Sequence, residues 1–127
     1  MKSNQTRNTN QKIKILNHLK GVKTHPTAEM VYVEVKKELP ALTLATVYRN
    51  LNHMAEQGQI LKLEINKEFH FDGDLSSHQH CVCNNCGKIV DLFQKNISQY
   101  ALQEIKDKDF QPTSVTVIFH GLCYDCQ

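Results

Sequence analysis

The sequence lacks any run of about 18 apolar residues, and its first residues, MKSNQTRNTNQ, contain no apolar segment. The first absence excludes a membrane-spanning helix. The second predicts that the chain is not exported, so we expect a cytoplasmic protein. Glycine and proline are scarce, at 5 and 3 residues, which excludes a collagen-like chain. Hydrophobic residues make up 40% and charged residues 22%, as in an ordinary globular protein.

Cysteine is absent before Cys81, and all five cysteines follow from there. Because the chain has no export signal, we expect these cysteines to be reduced thiols and not a disulfide framework. The charge is also uneven, because residues 1–60 hold nine basic and four acidic side chains whereas residues 61–127 hold six and nine. A basic first half predicts an anionic partner for that half only. We therefore expect two parts with different chemistry.

The first part contains three short helical patterns. Residues 10–20 form an amphipathic pattern that Gly21 closes, and residues 28–39 form a second one before Pro40. Thr43 is a suitable N-cap for a third helix that ends at Gly58. The expected buried stripe of the second helix is Ala28, Val31, Val35 and Leu39.

The third helix has two contrasting faces at helical spacing. Its buried face is expected to hold Leu44, Val47, Leu51, Met54 and Ala55. Its other face holds Thr46, Arg49, Asn50 and His53, with Tyr48 at the margin. Hydrogen-bonding, aromatic and cationic side chains suit the edges of bases in a major groove. An ordinary solvated helix face is the alternative interpretation.

Two alternating runs, 61–65 and 68–72, follow the third helix and predict a β-hairpin with Asn66-Lys67 at its turn. Three helices followed by a hairpin indicate a winged helix-turn-helix, a DNA-binding fold. The third helix would enter the groove while the hairpin touches the backbone. Candidate phosphate contacts are Lys12, Lys14, Lys20 and Lys23.

Two Cys-x2-Cys pairs lie at opposite ends of the second part. They are Cys83 with Cys86, which Gly87 follows, and Cys123 with Cys126. Four thiolates at this spacing suit a closed tetrahedral structural Zn²⁺, which would compensate for a small core. The alternative is a pair of redox dithiols, although no thioredoxin-like βαβ pattern surrounds either pair.

A second group of candidate metal ligands offers nitrogen and oxygen donors. His78 and His80 share one side of an extended strand, so that both imidazoles could bind one cation. The full candidate set is His25, Asp72, His78, His80 and Asp91. Imidazole with carboxylate favours Fe²⁺, Mn²⁺ or Zn²⁺, bound more reversibly than by four thiolates. Because His25 belongs to the first part, a shared cation would act as a switch between the two parts.

The remaining segments predict structural elements. Residues 96–108 show a helical stripe, and residues 112–123 predict a strand with apolar residues on both faces, typical of a buried or paired strand. Such a domain could form a dimer interface and present two reading helices to a two-fold symmetric operator. Cys81 would point away from His80, and we expect it to be a small buried residue. His18, His53, His70 and His120 are expected to be surface or packing residues.

These motifs together resemble the ferric uptake regulator (Fur) family over essentially the whole chain. Arg7-x-Thr9-x-Gln11-Lys12 resembles the family's opening helix, and His25-Pro26-Thr27-Ala28 resembles the start of its second helix. The most specific match is LATVYRNL at residues 44–51, which is very close to the family's recognition-helix signature. His78-x-His80-x2-Cys83-x2-Cys86-Gly87-Lys88 with Cys123-x2-Cys126 completes the resemblance.

The resemblance implies an α+β homodimer with a winged helix-turn-helix DNA-binding domain at 1–72, a hinge at 73–77 and a small α/β dimerisation domain at 78–127. The set of four cysteines would hold structural Zn²⁺, and a regulatory Fe²⁺ or Mn²⁺ at the hinge would lock the DNA-binding shape. DNA contacts are expected from Lys12, Thr46, Tyr48, Arg49 and Asn50. Because the chain begins near its first matched helix, we expect the leading helix of many relatives to be short or missing.

The ligand pattern is most similar to the peroxide-sensing PerR branch, where the last carboxylate of the set, here Asp91, is typically an aspartate. This resemblance implies a repressor, not an enzyme, in which bound Fe²⁺ reacts with H₂O₂ and the oxidant attacks His25 or His78. Iron or zinc sensing by the same repressor is the first alternative. A thiol oxidoreductase and a zinc-stabilised interaction module without DNA are alternatives from other classes.

Overall fold

The computed structural model describes the backbone of residues 2–127 and the side chains of residues 8–127. It divides the chain into two compact units, Met1–Leu75 and Ser76–Gln127. Both helices and strands are present, which confirms the predicted α+β class. Arg7, part of the opening motif, lies outside the described side chains.

Three helices and a hairpin build the first unit, in the predicted order: α1 (Lys2–Gly21), α2 (Ala28–Val35), α3 (Leu44–Glu56), β1 (Leu61–Ile65) and β2 (Glu68–Asp72). The first helix begins at Lys2, well before the predicted start. The second ends at Val35 and continues as turns, so Pro40 is not its direct stop. A single apolar cluster joins the three helices to the hairpin: Ile15, Leu19, Ala28, Val31, Val35, Leu42, Val47, Leu51, Met54, Ile60 and Phe71.

Helix starts and the hairpin turn follow from local side-chain chemistry. Thr27 and Thr43 cap α2 and α3, because each hydroxyl accepts a hydrogen bond from the main-chain N–H three residues on. Asn66 and Lys67 both have positive φ, at 53° and 67°, as the tight turn between antiparallel strands requires. Phe69 lies near this turn, 47% exposed, beneath the Lys62 ammonium.

The second unit is a three-stranded sheet with one helix: β3 (Gln79–Cys83), β4 (Ile89–Leu92), α4 (Lys95–Glu104) and β5 (Ile118–Gly121). A short 3-10 turn, Tyr124–Cys126, follows. The sheet order is β4-β3-β5, with β3 antiparallel to β4 and parallel to β5. The strand predicted over residues 112–123 is therefore wrong in extent, because only residues 118–121 form a strand, which pairs with β3.

One buried amide ties the central strand to the helix. Gln79 is fully buried, and its Nε2 donates to Ser98 Oγ at 2.8 Å while its Oε1 accepts from the Gln94 main-chain N–H at 3.1 Å. Because side chains alternate along a strand, the neighbouring residues His78 and His80 lie on the face opposite to Gln79.

None of the helices in the described part of the chain combines the length and apolar character that crossing a lipid bilayer requires.

Candidate metal centres and nucleic-acid interface

Four cysteines of the second unit converge at one end of its sheet. Cys83 ends β3 and Cys86 lies in the following turn, while Cys123 precedes the 3-10 turn and Cys126 ends it. The Sγ atoms of Cys83, Cys86, Cys123 and Cys126 all lie within 4.8 Å of one another. The Cys86 and Cys123 Sγ atoms are 3.8 Å apart. A tetrahedron with Zn–S bonds of about 2.3 Å has S···S edges of about 3.8 Å, so the four thiols fit a structural zinc ion.

The turn that presents the first pair is shaped by glycine. Gly87 has φ 78°, a left-handed conformation, and its N–H donates to the Cys83 carbonyl at 3.0 Å. Main-chain N–H groups, above all that of Cys86, lower the pKa of Cys83 to about 6. The Asn85 amide lowers the pKa of Cys126, but the neighbouring thiols and burial outweigh it and raise that pKa to about 11. Thiols this crowded cannot all ionise without a cation, which also favours a metal.

Cys81 is not a member of this cluster within the part of the chain described. It is half-exposed, so the prediction of a buried residue is wrong. Its neighbour His80 is 2% exposed and lies on the opposite face of β3 by alternation.

His25 and Asp72 form a buried pair in the first unit. His25 Nε2 lies 3.3 Å from Asp72 Oδ2, and the two residues are 2% and 7% exposed. Asp72 ends β2, and its other carboxylate oxygen accepts from the Asp74 main-chain N–H at 2.9 Å. Imidazole and carboxylate in this arrangement suit a borderline cation such as Fe²⁺, Mn²⁺ or Zn²⁺.

His78, His80 and Asp91 form a second buried set in the other unit. The Nε2 atoms of His78 and His80 lie 3.3 and 3.5 Å from Asp91 Oδ1. Strand register produces this closeness, because His80 pairs directly with Asp91 across β3 and β4. The two rings have centroids 4.5 Å apart.

The orientation of the His78 ring follows from one main-chain hydrogen bond. His78 Nδ1 lies 2.6 Å from the Ser76 carbonyl oxygen, and a carbonyl only accepts, so Nδ1 carries the proton. In the neutral ring, Nε2 then presents a lone pair towards the Asp91 carboxylate. An imidazole lone pair and a carboxylate attract each other only when a proton or a cation lies between them. This geometry is therefore the one expected of two ligands of the same metal ion. Phe93 stacks on the ring at 5.1 Å between centroids.

Helix α3 has the predicted two faces. Val47, Leu51 and Met54 are fully buried. On the other side, Arg49 is exposed, with Nη2 donating to Thr46 Oγ1 at 3.3 Å, and Asn50 Nδ2 donates to the Thr46 carbonyl at 3.0 Å. Tyr48 donates its phenol hydrogen to Glu29 on α2. The face thus offers cationic, amide and aromatic groups.

The candidate phosphate contacts on α1 differ in their surroundings. Lys14 Nζ pairs with Glu38 at 2.8 Å, which compensates its charge locally, whereas Lys20 is exposed and Lys12 half-buried. Lys23 is exposed in the loop after α1.

His70 is a functional candidate that the sequence did not reveal. Its Nδ1 donates to the His25 carbonyl at 2.7 Å. From the sequence, His70 is expected to be a surface or packing residue, and that prediction does not include this contact. The two residues lie 45 positions apart, and no local pattern could have paired them.

The fold and these sites define a class of protein: a winged-helix protein with a four-cysteine metal centre and histidine–carboxylate sets. A family model described as "Ferric uptake regulator family" matches residues 3–120. The chain is 32% identical to the "Peroxide-responsive repressor PerR" of Staphylococcus saprophyticus, covering 100% of this chain and 86% of the relative. It is 31% identical to the "Peroxide operon regulator" of Bacillus subtilis, covering 99% and 88%.

A solved structure agrees with these sequence relatives. The peroxide stress regulator of Campylobacter jejuni superposes with a TM-score of 0.84 at 31% identity, covering 98% of this chain and 95% of that one. The chain belongs to the ferric uptake regulator family, which confirms the resemblance drawn from its motifs. The relatives named here are regulators and repressors, not enzymes.

Proposed function

We propose that this chain is a metal-dependent, DNA-binding transcriptional repressor that responds to hydrogen peroxide. It would act in the cytoplasm as a homodimer on a two-fold symmetric duplex operator. Its relatives in Staphylococcus saprophyticus and Bacillus subtilis are named as a peroxide-responsive repressor and a peroxide operon regulator. Both align with nearly the full chain, which supports the proposal. The single observation that carries the metal requirement is that the Nε2 atoms of His78 and His80 both lie close to Asp91 Oδ1, at 3.3 and 3.5 Å.

The proposed roles follow the donor chemistry. Structural Zn²⁺ would bind Cys83, Cys86, Cys123 and Cys126. A regulatory Fe²⁺ or Mn²⁺ would bind His25, Asp72, His78, His80 and Asp91, joining the DNA-binding domain at 1–72 to the domain at 78–127 through a hinge at 73–77. DNA contacts would come from Lys12, Thr46, Tyr48, Arg49 and Asn50. A cation held from both sides of a hinge favours one domain arrangement by its differential affinity.

Bound Fe²⁺ would supply the redox chemistry that activates H₂O₂ beside the imidazoles. The peroxide would be the two-electron oxidant, giving one oxygen atom to a ring carbon and leaving the other as water. His78 is held within reach by the Ser76 carbonyl, and His25 by the end of β2. Oxygen gained by either ring would weaken it as a ligand, release the cation and lower DNA affinity. Mn²⁺ would support the same DNA-binding shape while reacting little.

The test begins by selecting binding sites from a random duplex pool with the Mn²⁺-loaded protein. DNA affinity is then measured by fluorescence anisotropy with Mn²⁺, with Fe²⁺, and after mild H₂O₂, and the protein is analysed by peptide mass spectrometry. We expect H₂O₂ to abolish binding only in the Fe²⁺ sample, with one oxygen gained on peptides holding His25 or His78. His80→Ala should lose metal-dependent binding, whereas exposed His120→Ala should keep it.

Three results would contradict the proposal. Unmodified histidines with retained DNA binding would select an iron or zinc sensor instead. Selection of no sequence by any metal form would favour an interaction module, and a zinc-free protein with four titratable thiols would favour a thiol oxidoreductase.

A further inference from the structure

The main chain at His25 adopts a conformation that few side chains tolerate. Its φ is 54°, in the left-handed region, and the next residue is a proline that further restricts it. Such a conformation persists only where surrounding structure holds it, and it is common where a side chain must be aimed. His25 is 2% exposed, and its Nε2 lies 3.3 Å from Asp72.

Strand β2 holds this segment through two consecutive residues. His70 Nδ1 donates to the His25 carbonyl at 2.7 Å, and the Phe71 main-chain N–H donates to the Pro26 carbonyl at 2.9 Å. A carbonyl only accepts, so His70 must carry its proton on Nδ1. The His70 side chain is 15% exposed, which shields this hydrogen bond from water.

The same strand also reaches the side chain of His25. His70 and Asp72 are two residues apart on β2, so their side chains lie on the same face. His70 therefore holds the carbonyl of His25 while Asp72 faces its imidazole. The hairpin register, with His70 opposite Leu63, keeps both groups on one rigid element.

We propose that His70 is a positioning residue for His25, which holds its left-handed main chain so that Nε2 is aimed at a metal ion shared with Asp72. This inference rests on the proposed regulatory metal site. His70 is not a ligand in this arrangement, because its Nδ1 is committed to the carbonyl. Partners outside the ligand shell commonly change metal affinity by about 10- to 100-fold when removed.

The test uses Co²⁺ alone as a spectroscopic probe of zinc-loaded protein, since its visible absorption reports ligand number and geometry. His70→Phe keeps a planar aromatic ring but removes the donor. His70→Asn keeps a donor near the Nδ1 position, and His70→Gln keeps polarity but places its amide one methylene further. Glu68→Gln is the matched control, because exposed Glu68 reaches only the outer His70 Nε2, at 3.8 Å, and leaves the His25 contact intact.

We expect His70→Phe and His70→Gln to weaken Co²⁺ binding by about 10- to 100-fold and to alter the visible bands. His70→Asn and Glu68→Gln should keep the affinity and spectrum of the unaltered protein. Thermal melts followed by circular dichroism identify any variant that fails to fold. If His70→Phe fails to fold, the comparison of His70→Gln with His70→Asn tests the inference.

The inference is overturned if the Gln variant binds Co²⁺ like the unaltered protein, or if the Asn variant binds as weakly as the Gln variant. His25→Ala separates this failure from that of the proposed site. If His25→Ala leaves the Co²⁺ affinity and bands unchanged, the regulatory site itself is wrong and the role of His70 falls with it.

Discussion

Tyr48 on the exposed side of α3 donates its phenol hydrogen to the carboxylate of Glu29 on α2. This hydrogen bond lowers the pKa of Glu29 from its ordinary value of 4.5 and raises that of Tyr48 from 10.0. It therefore links a helix of the core to a side chain on the face proposed to read DNA.

Tyr48→Phe should raise the pKa of Glu29 towards 4.5, because the main donor to the ionised carboxylate is lost. A carboxyl with a lowered folded-state pKa contributes stability that is present above its unfolded pKa. That contribution is lost as the pH falls through the folded value, below 4.5. Carbon-detected NMR titration measures the shift directly.

Glu38 supplies an internal control in the same spectra. Its pKa is lowered by Lys14, not by Tyr48, so it should titrate identically in both proteins. A Glu29 carboxyl that titrates unchanged in Tyr48→Phe would show that the hydrogen bond does not persist in solution.

Cys86→Ser should lose zinc and the folded second unit. Structural zinc sites bind with roughly 10–16 kcal/mol, which is comparable to the roughly 5–15 kcal/mol that stabilises a typical domain. Cys81→Ser is the matched control, because Cys81 lies on β3, two residues before Cys83, but outside the cluster, and this variant should retain one zinc per chain. Metal analysis with thermal melts distinguishes the two, and a folded, zinc-free Cys86→Ser protein would contradict the structural role.

Gly73→Ala should destabilise the first unit by about 1–3 kcal/mol, as overpacking generally does. A Cβ at Gly73 would lie 3.0 Å from main-chain atoms of Leu19 and Lys20, which cannot turn aside as a flexible side chain could. Gly21→Ala is the control, since a Cβ there meets nothing within 4 Å. Urea unfolding of both variants measures the difference, and equal midpoints would refute the tight packing.

Arg49→Ala should weaken binding to the selected duplex by about 1–3 kcal/mol if the guanidinium reads a base, and should reduce sequence discrimination. Lys37→Ala removes the same charge from a residue that pairs with Glu34 outside this face, and should change affinity little. Affinities over a range of salt concentrations make the comparison. Equal losses in both variants would indicate that α3 contributes only general charge.

Features set by local chemistry could be predicted from the sequence. Thr43 caps α3 as expected, because a cap depends on residues three positions apart. The two Cys-x2-Cys pairs were recognisable for the same reason, since their spacing already fits tetrahedral coordination.

Features that depend on residues far away in the sequence could not be predicted. The strand predicted over residues 112–123 shortens to β5 because pairing depends on which strand lies alongside, not on the apolar pattern itself. His70 has the pattern of an ordinary alternating strand residue. Its role depends on the carbonyl of His25, 45 positions earlier, and no sequence pattern predicted the left-handed conformation of His25.

Strand β3 carries His80 near its beginning and Cys83 at its end, and parallel pairing sets them opposite Ile118 and Gly121. A slip of β3 by one residue would turn the His80 imidazole to the wrong side of the sheet. Anchoring Cys83 in the thiolate cluster opposes such a slip. Preparations stripped by strong chelators should therefore lose their response to added manganese as well, and restoring manganese without zinc should not recover it.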